Sequence, residues 1–144
     1  MIDTTGKEVE DVISEMFDAL CKQGQQCQSG PAITDSCVYG DGKGNHCAIG
    51  LLLDPEDEHL MGFGSSVESL VRDEYGELGV NEDFLSENKD LLVKCQAIHD
   101  AHELKTLICE QARLADHLEY IPMSMSMWVL TRVRQITSTT GASL

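Results

Sequence analysis

Positive charge is scarce in this chain. Ten Lys and Arg stand against 25 Asp and Glu, for a formal net charge of −15. A surface of that sign repels phosphates, which argues against direct nucleic-acid binding. Long apolar runs are also lacking: none reaches the roughly eighteen residues of a membrane span. The opening Met1-Ile2-Asp3-Thr4-Thr5 has neither the basic nor the apolar region of a signal peptide, so a cytoplasmic location is expected. No phosphate loop or dinucleotide fingerprint occurs. His102-Glu103 lacks the second histidine of His-Glu-x-x-His, and the zinc deaminase pattern is absent. No Cys-x-x-Cys occurs among the six cysteines, at 21, 27, 37, 47, 95 and 109, which argues against a zinc ribbon or a thioredoxin-like pair. Cytosolic thiols in this arrangement are expected to be reduced.

What is present suits one domain over 1–144, with 137–144 a frayed tail. A chain of this length can bury about two-thirds of its unfolded surface. The expected fold is mostly α with a short β-hairpin (α+β), a single compact domain of five to six helices. Thr5 and Glu8 have capping-box spacing, and Val9, Val12, Ile13, Met16, Phe17 and Leu20 follow as an apolar stripe. This predicts a helix from about Lys7 to Lys22, stopped near Gly24. Gln25 to Ser36 reads as a loop. Ser65 and Glu68 form a second capping box, before a helix carrying Val67, Leu70, Val71 and Tyr75. Asn81 is placed to cap a short turn with Phe84 and Leu85. No proline or glycine lies between Ser86 and Ile121, so either one long helix or two with a break at Asp100 to His102 fit. Met123, Met125 and Met127 alternate with serines, which allows a strand, but the stripe of Met125, Trp128, Val129, Val133 and Ile136 favours a final helix opened by Pro122.

The unusual residues crowd between Cys37 and Asp54. A hairpin is expected there: a strand over Cys37 to Tyr39, a turn at Asp41-Gly42 or Lys43-Gly44, and a return to Cys47. Cys47 would then precede a helical turn through Ala48, Ile49 and Leu52. A thiol at a helix N-terminus is expected to have a lowered pKa, which makes Cys47 a candidate nucleophile or ligand. The alternative is that Cys37 and Cys47 are small buried hydrophobes. His99 is the candidate base and Asp100 the orienting group. Neighbouring helical residues diverge by about 100°, so a dyad of Cys47 and His99 fits more readily than a triad. Cys37, Cys47 and His99 are also candidate ligands for zinc, with Asp100, His46 or His102 as a fourth. No cofactor is otherwise expected.

The same stretch carries a resemblance. Cys37, Tyr39, Gly44, Cys47, Ala48, Ile49, Gly50, Leu52 and Leu53 are similar to a Cys-x-Tyr-x4-Gly-x2-Cys-Ala-(Ile/Val)-Gly-x-Leu-(Ile/Leu) pattern in a family of small, mostly uncharacterised bacteriophage and prophage proteins. Leu91-Leu92 with Gln96-Ala97-Ile98-His99-Asp100, and Trp128 with Leu130 and Val133, extend the likeness from about Val12 to Ile136. The segment between Asp100 and Trp128 is longer than the pattern has. The resemblance implies a phage source and an infected bacterial cell as the setting. It implies no established reaction.

The charge is one-sided along the chain. Residues 1–100 hold 21 acidic and 6 basic residues, and 101–144 hold 4 of each. With the absence of a complete catalytic motif, this charge suggests a module that binds a basic protein, and the phage resemblance implies that the partner is a host or defence protein and the role that of an inhibitor or anti-defence module. Its candidate binding residues are Tyr39, Asp54, Glu56, Asp57, Glu58, Asp73, Glu74 and Glu77. A cysteine-dependent enzyme and a structural zinc module are the alternatives. Solubility alone is the simplest explanation of the acidity.

Overall fold

The computed structural model describes residues 1–27, 39–41, 44–54, 56 and 81–140, with the backbone only at 139 and 140. Among the described residues there are five α-helices: α1 (Val9–Gln23), α2 (Glu82–Glu87), α3 (Lys89–Asp100), α4 (Leu104–Ala115) and α5 (Met123–Thr140), with a 3-10 turn at Gly50–Leu52. The second capping box and its helix, at 65–75, lie outside the described residues, as does the tail at 141–144.

α1 forms for the expected reason. Val12, Ile13, Met16, Phe17 and Leu20 are all buried along one face. Gly24 ends the helix in a left-handed conformation (φ 77°), and its N–H donates to the Leu20 carbonyl, a common glycine C-cap. The capping box is not made. Glu8 takes the N-cap position without a side-chain cap, and Thr5 N–H donates to Asp3 instead.

The stretch without proline or glycine is broken twice. α2 gives way to α3 at Asn88, and α3 to α4 across Ala101-His102-Glu103. The second break has a tertiary cause. Arg132 Nη2 donates to the Ala101 carbonyl at 2.8 Å, and Gln26 Nε2 donates to the His99 carbonyl at 2.7 Å. Side chains from α5 and from the loop after α1 thus satisfy carbonyls at the end of α3, where cationic donors are also favoured by the helix dipole.

α1 pairs with α5, and α3 with α4. The first pair runs in the same sense: Tyr120 bonds Asp11, Ser124 bonds the Ser14 carbonyl, and Gln135 bonds the Gly24 carbonyl. Trp128, Met125, Phe17, Ile98, Leu92 and the 47–53 segment fill the space between. On α4 only Leu107 and Leu114 are fully buried, and Ile108 is exposed.

Asn81 does not cap α2. Its side chain is fully buried and makes four hydrogen bonds. The Oδ1 atom accepts from Thr4 N–H and Thr4 Oγ1, while Nδ2 donates to the carbonyls of Ile2 and Leu52. Every amide donor and acceptor is used. The chain start, the 3-10 turn and the entry to α2 are tied at this residue.

Candidate functional site

The expected hairpin is corrected to a single antiparallel bridge between Gly40 and His46, with no strand among the described residues. Residues 37 and 38 of its outgoing arm lie outside them. What shapes the segment is a set of discrete bonds. Asp41 N–H donates to the Asn45 carbonyl, and Cys47 N–H donates to the Tyr39 carbonyl. Both Asp41 carboxylate oxygens accept from Asn45, one from its backbone N–H and one from its side chain. Gly44 turns the chain with φ 93°, a conformation that favours glycine. Gln23 then pins this turn to the end of α1, since its side-chain amide both donates to and accepts from the His46 backbone, at 2.9 and 2.7 Å.

Gly50 is required for a different reason. A Cβ there would overlap the Tyr39 carbonyl oxygen and lie 2.8 Å from its carbon. The glycine of the Cys-Ala-Ile-Gly run therefore allows the 3-10 turn to pack directly on the Tyr39 peptide.

Cys47, Ala48 and Ile49 are fully buried at this turn. The Cys47 Sγ accepts from Gly50 N–H at 3.3 Å, which is the helix-start arrangement expected of it. Its effect on acidity is outweighed. Burial raises the Cys47 pKa far above that of an ordinary thiol, and nearby Asp100 and Cys27 raise it further. The expectation of a lowered pKa is thus corrected: desolvation exceeds what the backbone donors supply.

The turn meets α3 through Gln96. Ile49 N–H donates to Gln96 Oε1 at 3.2 Å, and Gln96 Nε2 donates to Asp100 Oδ1 at 2.7 Å. Asp100 in turn bonds His99 Nδ1 at 2.8 Å. Helical divergence does not keep these two neighbours apart, because the carboxylate turns back to the ring. On the other side, Cys27 N–H donates to His99 Nε2 at 3.3 Å. An accepting Nε2 assigns the proton to Nδ1, facing Asp100. The imidazole is fully buried and stacks on Trp128, with ring centroids 5.8 Å apart and planes 4° from parallel.

The cysteine that meets the His99 ring, through its backbone N–H, is Cys27, which no sequence pattern singles out. Its Sγ donates to the Asn45 carbonyl at 3.3 Å, and it is buried. Burial pushes its pKa up to about 12, with Asp41 and Asp100 adding to the effect and the Cys47 N–H opposing it. Gln23 and Gln26 likewise belong to no pattern, and Gln96 stands out only as the start of the Gln96-to-Asp100 run. Their sequence signal is slight, since glutamine in a polar stretch or on a helix is ordinarily solvated.

The network has the members of a thiol, base and carboxylate set, but its polar contacts are used internally. The His99 lone pair is taken by a backbone N–H, and both nearby thiols are held neutral by burial. A thiolate nucleophile is therefore disfavoured in this arrangement. Among the described residues, no three His, Cys, Asp or Glu side chains form a cluster suited to a metal ion. Cys37, one of the proposed zinc ligands, lies outside them.

The proposed binding residues divide. Asp54 and Glu56 are exposed, and Glu56 N–H donates to Asp54. Tyr39 is 2% exposed and belongs to the core, which removes its ring from any docking surface. Asp57, Glu58, Asp73, Glu74 and Glu77 lie outside the described residues. A second acidic surface comes from α1, where Glu8, Asp11, Glu15 and Asp18 recur at helical spacing. Lys7 pairs with Glu15 and Lys22 with Asp18. Asp11 instead accepts from the Tyr120 hydroxyl at 3.3 Å. The Tyr120 pKa is raised by local desolvation and then by Asp11, Glu10 and Glu119 together. No helix among the described residues is long and apolar enough to cross a membrane.

Comparison with protein-family models, with curated proteins and with solved structures finds no match for this chain.

Proposed function

We propose that this protein is a binding module that occupies a basic surface on another protein. On the phage resemblance, that partner is a host or defence protein, the role is inhibitory, and the setting is the cytoplasm of an infected bacterium. One observation carries the reading: Cys27, Cys47 and His99 are buried and hydrogen-bonded inside the fold, while Asp11 and Glu119 are exposed and make no ion pair among the described residues. Glu10, Asp11 and Glu119 gather around Tyr120, and among the described residues none of the three makes an ion pair. Such a surface speeds encounter with a basic partner and disfavours acidic ones.

The test is retention of proteins from a bacterial lysate on the immobilised protein, at low and at high salt. Basic proteins held at low salt and released at high salt are the expected result. Failure to retain any basic protein at low salt would overturn the reading.

A further inference from the structure

We propose that the outward face of α5 is the docking surface, and that it takes an amphipathic basic helix of the partner. This rests on the binding reading above and narrows it to one place on the molecule. Helix α5 carries two faces. Met125, Trp128, Val129 and Ile136 are buried against the rest of the fold. Met123, Met127 and Leu130 are exposed, at 76%, 48% and 40%. Their spacing of four and then three residues puts them in one line along the helix. Arg134 continues that line at the far end and is also exposed.

The near end of the line has the opposite character. Tyr120 and Ile121, both about half exposed, lead into Met123, and Tyr120 bonds Asp11. Glu10 and Glu119 complete the acidic group around that phenol. An exposed apolar stripe thus begins beside Asp11, Glu10 and Glu119, none of which makes an ion pair among the described residues. Scattered single apolar residues need no explanation, but an aligned stripe of this kind does. Methionines are suited to such a face, because their flexible thioethers adapt to different partner side chains. The complementary ligand is a helix with apolar residues along one side and Lys or Arg where it meets Glu10, Asp11 and Glu119. A second copy of this chain is disfavoured as the occupant, since each copy brings a net charge of −15.

The probe is a fluorescein-labelled helical peptide of about five turns, built from Leu and Lys, with Leu confined to one face. Its control is a scrambled peptide of the same composition with no apolar face. The amphipathic peptide is expected to bind about tenfold or more tighter than the scrambled one. Met127→Asp, a change at an exposed position, is expected to remove that advantage while circular dichroism and the melting temperature stay unchanged. Asp11→Asn combined with Glu119→Gln is expected to weaken binding at low salt and flatten its salt dependence. Equal binding of both peptides would overturn the proposal, because charge alone would then suffice. So would unchanged binding by Met127→Asp, or self-association of the protein that this substitution abolishes. In the lysate experiment, retention of the same basic proteins by Met127→Asp would overturn this surface and leave the binding reading standing.

Discussion

The His99 imidazole lies flat against the Trp128 indole, 5.8 Å between centroids and 4° from parallel, while its two nitrogens bond Cys27 and Asp100. This one ring joins α3, α5 and the loop after α1. Replacement by alanine removes the stack, opens a cavity and leaves the Cys27 N–H without its acceptor. His99→Ala is expected to cost about 3 kcal/mol of stability. His99→Phe keeps a stacked ring but loses both polar contacts, and is expected to cost less, about 1–2 kcal/mol. Urea denaturation followed by the emission of Trp128, the single tryptophan, measures both. Equal stability of the alanine variant and the wild type would contradict this role.

The Asn81 side chain ties its own segment to two others, at Ile2–Thr4 and at Leu52, with four bonds. Asn81→Leu would bury an apolar group against the unpaired carbonyls of Ile2 and Leu52. A loss of about 3 kcal/mol or more is expected, read by thermal denaturation. Asn81→Asp keeps the acceptor but not the donor, and is expected to fall below the wild type by a similar amount.

Gly50→Ala is expected to be among the most damaging single-methyl changes in the chain, because the added carbon would overlap the Tyr39 peptide. Gly44→Ala is a contrasting case. Among the described residues no atom beyond its chain neighbours lies within 4 Å of the added carbon, and the cost is the left-handed backbone, about 1 kcal/mol. Melting temperatures of the two variants give the order directly, with Gly50→Ala the lower.

Much of this arrangement was legible in the sequence. The apolar stripes of α1 and α5 show at helical spacing, and burial of Val12, Ile13, Met16, Phe17, Met125 and Trp128 follows them. The proximity of the 47–50 turn to the His99-Asp100 helix was also expected, and the Ile49–Gln96–Asp100 bonds supply it. The break at Ala101 was open because its cause is long-range: Arg132 and Gln26 come from elsewhere in the chain. The sign of the Cys47 shift was misjudged for a related reason. A helix start is visible in sequence, whereas complete burial depends on what packs over it. Cys27 went unnoticed because it sits in a polar loop with no pattern around it.

The buried thiols make stability depend on alkaline pH. Burial raises the pKa of Cys27 and of Cys95 to about 12, from an ordinary value of 9.0, and raises that of Cys47 as well. Below pH 9 the thiols are protonated in both folded and unfolded chains, and their contribution to stability is fully present. As pH rises from 9 towards 12, the unfolded chain releases these protons first, so stability falls. Each such thiol contributes a slope of about 1.4 kcal/mol per pH unit within that window. Urea midpoints between pH 7 and pH 11 check this. The cysteine contribution is isolated by a Cys95→Ala variant, whose alkaline loss is expected to be shallower.

The most direct test of inward-facing reactive groups is site-resolved alkylation of the native protein with iodoacetamide near pH 8, read by peptide mass spectrometry. Cys109 is exposed and Cys21 partly so, whereas Cys27, Cys47 and Cys95 are buried. Cys109 is expected to react first among these five, with Cys27 and Cys47 protected until the chain is unfolded. Modification of Cys47 in the folded protein as fast as Cys109 would contradict the assignment of this network to the core and return Cys47 to candidacy as a nucleophile.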